Sequence, residues 1–202
     1  MKDLVLLAAD KNMQAALRGA LNRPLSLDIR PITFDFRVHP GRDGGVRTTG
    51  PEVIAGEVAR FRHAIVIFDL EGSGAGIADP VEVDSRLDAR LKAQWEERAK
   101  CIVVDPEVDI WLWGADTALR QLLDWSRPGT IRDWLGAGGF EFNANNKPRR
   151  PKEAFEEVVT TCGLARSSAL YEKVTSKISL HRCRDAAFLR LRKQLQSWFP
   201  AD

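Results

Sequence analysis

Short apolar runs alternate along the first half of the chain with stretches whose apolar positions recur every three or four residues. "DLVLLAA" (3–9) is apolar over a strand's length and predicts a strand buried on both faces. "KNMQAALRGALNR" follows with Met13, Ala16, Leu17 and Ala20 on one helical face. "IRPITFDFRV" (29–38) mixes β-branched and aromatic residues in alternation and predicts a second strand. "HPGRDGGVRTTGPE" reads as a glycine-rich loop, and "PEVIAGEVARFR" as a helix with Pro51 at its first position. "HAIVIF" predicts a third strand that stops at Asp69. "GSGAGIADP" is a loop, "VEVDSRLDARLKAQWEER" a charged amphipathic helix, and "KCIVV" a fourth strand that stops at Asp105.

Beyond this point the pattern becomes helical. "DIWLWGADTALRQLLDW", "TIRDWLGAGG", "KEAFEEVVTTC", "SSALYEKVTS" and "CRDAAFLRLRKQLQSWF" predict helices, with "FEFNANNKPRRP" a polar linker among them. Buried strands alternating with amphipathic helices predict an α/β fold. Its sheet is mostly parallel, four- or five-stranded, with helices on both faces and a helical C-terminal extension. The division expected is an α/β domain over 1–140 and a basic helical region over 141–202 packed on it.

The length of 202 residues suffices for a substantial core. No apolar run approaches the roughly 20 residues that span a bilayer, and the N-terminus reads as a strand, which predicts a cytoplasmic protein with no membrane partner. Cys101, Cys162 and Cys183 are far apart and form no zinc-type or disulfide pattern. The formal net charge of +2 is uneven: residues 147–202 hold 12 Lys and Arg against 6 Asp and Glu, the remainder 18 against 22. A basic tail on an acidic body suits an anionic partner or a solvated helical face. Most of the six tryptophans are expected in packing.

In a parallel sheet the functional edge is where the strands end. The first strand ends in Asp10, the third in Asp69 and Glu71, the fourth in Asp105, Glu107 and Asp109. Asp69 and Glu71 are two apart and point the same way in extended chain. Hard oxygen ligands at this spacing select Mg²⁺ or Mn²⁺. Asp10 and the "DPE" at 105–107 equally suit helix caps. Arg42 and Arg47, in the glycine-rich loop, are candidates to meet a phosphate. So is Arg182, in the late basic segment with Tyr171, Lys173, Lys177 and His181. Lys173 and Lys177, four apart, would share a helical face that is either solvated or anion-binding. His63 is expected to be structural.

The order of "HPGRDGGV", "IVIFDLEGSG", "VVDPEVDIWLWG", "KPRRPKEAF" and "LYEKVTSKISLHRCRDAAFLRLRKQL" resembles the TOPRIM-like family of small bacterial defence-locus proteins. It is most similar there to a small component of the methylation-associated phage-defence system. The resemblance covers nearly the whole chain. It departs from the usual pattern at Asp10, where a Glu followed by Gly is typical, and at Glu71, where a second Asp is typical. It implies a metal-dependent nuclease or other phosphodiester-processing component of an anti-phage system. Asp69 and Glu71 would hold Mg²⁺ or Mn²⁺, Asp10 and Glu107 would support it, and Lys173 or Lys177 would meet the phosphate. The partners implied are DNA and other proteins of the same defence operon. The other reading is a non-catalytic TOPRIM-like subunit that binds partner proteins or DNA.

Overall fold

A computed structural model describes residues 1–114 and 116–201. Four strands, β1 (Lys2–Ala8), β2 (Phe34–Val38), β3 (Phe61–Asp69) and β4 (Ala99–Val104), form one all-parallel sheet in the order β2-β1-β3-β4. Nine α-helices are described: α1 (Lys11–Leu21), α2 (Pro24–Leu27), α3 (Arg42–Ala55), α4 (Pro80–Trp95), α5 (Asp116–Leu122), α6 (Ile131–Ala137), α7 (Pro151–Thr161), α8 (Ser168–Thr175) and α9 (Ala186–Trp198). Leu4 to Ala8 and Ala64 to Phe68 are wholly buried at consecutive positions, so both faces of the central strands are covered. α3 and α4 pack on each other and on the sheet, α8 lies along α1, and α9 reaches β4. One cluster of buried residues runs from Leu4 to Phe199 and takes in α7, α8 and α9. No helix among the described residues is long and apolar enough to cross a membrane.

The outer edge of β4 is closed by side chains. Asp84 Oδ1 accepts the Val103 N–H at 2.6 Å and Asp88 Oδ1 the Cys101 N–H at 2.7 Å. Arg190 Nη2 donates to the Val103 carbonyl at 2.8 Å, and Arg190 Nε lies 2.9 Å from Asp84 Oδ2. The edge thus has its own polar partners and is a poor template for another strand. The same contacts fasten α9 to the sheet.

Three expectations change. The glycine-rich stretch is not a loop: α3 starts at Arg42, so Pro51 lies inside the helix. Its glycines let the helix approach its neighbours. A Cβ on Gly45 would stand 2.4 Å from His39 Nδ1, and one on Gly50 would stand 3.2 Å from Val66 Cγ1. The second strand begins only at Phe34, because Ile29 turns away to bridge Pro200 in antiparallel fashion. The helix expected from 109 is a 3-10 turn over Val108–Leu112 followed by α5, and the Asp105 side chain caps neither. The Asp105–Pro106 peptide is cis.

The α1–α8 crossing sets the tightest packing demand. A Cβ on Gly19 would fall 2.1 Å from Thr175 Oγ1 and 2.6 Å from the Glu172 carbonyl oxygen. Gly19→Ala should therefore cost about 2–3 kcal/mol in urea denaturation, because the backbone of α8 must move. Gly56→Ala, at φ −65° with nothing within 4 Å, should be neutral or stabilising by up to about 1 kcal/mol. Equal effects at the two positions would contradict the close crossing.

Candidate functional site

The strand order places the site. From β1 the chain moves outward to β2, then crosses back to β3 on the other side of β1. The connections after β1 and β3 therefore diverge, and a crevice opens beyond their carboxyl ends. A cleft of about 580 Å³ lies there, lined by Asp10, Asp43, Asp69, Glu71, Glu107 and Asp109, together with Glu153, Arg42, Lys152 and Arg166. The structure thus gathers all four residues expected at a metal, Asp10, Asp69, Glu71 and Glu107, into one cavity.

Backbone hydrogen bonds fix the acidic floor. The Leu70 N–H donates to the Val104 carbonyl at 2.8 Å and the Glu71 N–H to the Pro106 carbonyl at 3.1 Å, so the chain after β3 runs beside the chain after β4. Asp69 Oδ1 accepts the Val108 N–H at 2.8 Å. The Asp69 N–H donates to Asp43 Oδ1 at 2.8 Å, which brings the first turn of α3 to the site. Asp10 is the N-cap of α1, its Oδ1 accepting the Met13 N–H at 2.8 Å. It does the cap's work while lining the cleft.

The electrostatics are one-sided. Burial pushes the Asp69 carboxyl well above the ordinary carboxylate range, and the neighbouring Asp43, Asp109 and Glu107 add to the shift. Burial and then Asp109 and Glu71 push Glu107 up to about 7. Asp43 and Asp109 are raised, chiefly by burial. Asp109, 2 % exposed, accepts a very short hydrogen bond from the buried Tyr171 hydroxyl and lies 3.5 Å from Arg166 Nη2. Arg166 Nε donates to the same hydroxyl oxygen at 2.6 Å, and its Nη1 pairs with Glu156 at 3.1 Å. The guanidinium is held at the wall of the cleft by this buried pair.

The donor set suits a divalent cation: hard carboxylate oxygens, several of them buried, with fewer cations beside them than acids. Among the described residues no group of three or more acidic, His or Cys side chains is placed to hold an ion between them. One or two carboxylates with waters and phosphate oxygens is the pattern Mg²⁺ ordinarily takes.

The basic residues fall differently from expectation. Arg42 lines the cleft, but Arg47 does not: its Nε donates to the Ser73 carbonyl at 2.7 Å and anchors the turn after β3. Lys173 and Lys177 lie outside the cleft and are exposed. Lys173 Nζ donates to the Leu122 carbonyl at 3.2 Å, and α8 ends at Thr175, so Lys177 is past the helix whose face the two were to share. Arg182 lines a separate cavity. His63 stacks on Trp198 with ring centroids 4.4 Å apart. In place of the lysines of α8, the structure brings Lys152 from the first turn of α7 and Arg166 from the α7–α8 connection. Pro151, at the first position of α7, marks where Lys152 sits on its helix; nothing near Arg166 marks it in the sequence. Compared with family models, curated proteins and solved structures, the chain matches none.

Glu107 gives a pH test. Its carboxyl ionises near 4.5 when the chain is unfolded and at about 7 when folded. Its contribution is full below the unfolded value and declines as pH rises through the folded one. Glu107→Gln should remove a decline on the order of 2–3 kcal/mol across that window, measured by urea denaturation without divalent cations. An unchanged pH slope in the variant would contradict the charged crowding.

Proposed function

We propose that the cleft is the divalent-cation site of a TOPRIM-like phosphodiester-processing protein, a nuclease acting on DNA in anti-phage defence. The observation that carries this reading is the convergence of Asp10, Asp69, Glu71 and Glu107 on one cleft at the β1/β3 crevice, with Lys152 and Arg166 beside them. The order of these acids along the chain resembles that family's pattern, with Asp10 where a Glu is typical and Glu71 where a second Asp is typical.

Asp69 and Glu71 would hold Mg²⁺ or Mn²⁺, with Asp10 and Glu107 reaching it directly or through water. The cation, when bound, lowers the pKa of a water and offsets charge on a phosphoryl oxygen. Arg166, oriented by Tyr171 and Asp109, and Lys152 supply the positive wall on which a phosphate would rest. Arg42 adds a third cation from the α3 side of the cleft.

A second reading, a non-catalytic subunit that binds DNA or partner proteins of the same operon, draws on Asp10. Its Oδ1 is spent on the α1 cap, and Lys11 follows it where the family pattern has glycine.

Plasmid cleavage with Mg²⁺ or Mn²⁺, alongside Mn²⁺ binding followed by electron paramagnetic resonance, separates the two. The nuclease reading expects cleavage that falls at least about 100-fold in Asp69→Asn/Glu71→Gln, with Mn²⁺ binding lost as well. Arg166→Gln should slow cleavage about tenfold or more while leaving Mn²⁺ bound. Bound Mn²⁺ without cleavage supports the subunit. Neither binding nor cleavage, or cleavage indifferent to the double substitution, overturns the cation site.

A further inference from the structure

A second cavity, of about 260 Å³, lies on the other side of the 3-10 turn Val108–Leu112 and has a different character. Its apolar wall is Trp111, Trp113, Ile178, Leu180 and Phe188. Both indole N–H groups are used elsewhere: Trp111 Nε1 donates to Asp185 Oδ1 at 2.8 Å and Trp113 Nε1 to the Pro151 carbonyl at 3.1 Å. Trp111 is further fixed edge-on against Phe188, with centroids 5.4 Å apart. The two tryptophans thus offer the cavity rigid apolar ring surface.

The charged part of the lining is cationic, beside the neutral polar side chains of Asn145 and Ser179. Lys147, Arg182 and Arg184 all border the cavity, and among the described residues no carboxylate does. Among the described residues none of the three takes part in an ion pair. Lys147 is 8 % exposed. Its Nζ donates to the Ile110 carbonyl at 2.8 Å and stands 3.8 Å from Cys183 Sγ, which engages two of the three ammonium hydrogens. Asp185, next to Arg184 in the chain, spends its Oδ1 on Trp111 and on the Phe188 N–H that opens α9. A buried ammonium without a counter-ion is costly, and an anion entering the cavity would remove that cost.

We infer that this cavity binds a small aromatic anion. Its flat ring would lie on the tryptophan wall and its carboxylate or phosphate would meet Lys147, with Arg182 and Arg184 at the mouth. An apolar enclosure with a few convergent charges is the usual make-up of a small-molecule site, and the volume admits one bicyclic ring or a nucleobase-sized group. The inference is independent of the acidic cleft.

Isothermal titration calorimetry of the full chain with 2-naphthoate and with thymidine 5′-monophosphate tests it. The neutral counterparts 2-naphthylmethanol and thymidine serve as controls. At least one anion should bind at a single site, its neutral counterpart about tenfold more weakly or less. Naphthoate alone would identify the natural ligand as a free aromatic acid, the nucleotide alone as a phosphorylated nucleoside. Lys147→Met should weaken binding about tenfold or more, and so should Arg182→Gln/Arg184→Gln, whose exposed side chains leave the core intact. No binding of either anion, equal binding of the neutral compounds, or unchanged affinity in the arginine double variant would overturn the inference.

Discussion

Carboxylates crowded at one end of a parallel sheet are the constraint on which the rest of this structure turns. Asp43, Asp69, Glu107 and Asp109 share a partly buried cleft, and burial raises each above its ordinary range. Glu107 and Asp109 are both buried there. Three of the four, Asp43, Asp69 and Asp109, are each given a particular partner. Val108 donates to Asp69, the Asp69 N–H to Asp43, Tyr171 to Asp109, and Arg166 reaches both Tyr171 and Asp109. These contacts lower the cost without removing the excess negative charge, and the excess is what suits the site to a cation.

The remaining architecture holds that edge in place. The switch in strand order between β1 and β3 opens the crevice, and the bonds from Leu70 and Glu71 to the β4 connection form its floor. α8 crosses α1 so closely at Gly19 that the helix bearing Tyr171 is fixed relative to the helix that Asp10 caps. The basic C-terminal region contributes Lys152 and Arg166 to the cleft and acts in two further ways. Arg190 fastens the edge strand through Asp84 and Val103, whereas Lys147, Arg182 and Arg184 border a cavity that no carboxylate among the described residues borders. The charge excess of residues 147–202 is thus partly structural and partly gathered at one apolar pocket.

The four strands and the acids at their ends were legible in the sequence because both follow from local pattern. Uninterrupted apolar runs must be buried, and a parallel sheet sends their ends to one edge. What was not legible depends on contacts between distant segments. The glycines of α3 look like loop residues until His39 and Val66 stand against them. Lys173 and Lys177 share a spacing that reads as a cationic face, but Lys173 bonds to the Leu122 carbonyl and α8 ends before Lys177. Arg166 sits in an unremarkable connection, and only the fold brings it to Asp109, 57 positions earlier in the chain. Ion pairs and cavity walls of this kind leave no periodicity to read.

Whether the cleft's carboxylates take a divalent cation is tested most directly by thermal unfolding of the wild-type chain. Mg²⁺ or Mn²⁺ at millimolar level, matched in ionic strength by a monovalent salt, should raise the Tm by several degrees at about pH 8. At about pH 5 Glu107 holds its proton, and the shift should be much smaller. No shift at the higher pH, or an equal shift at both, would contradict the account.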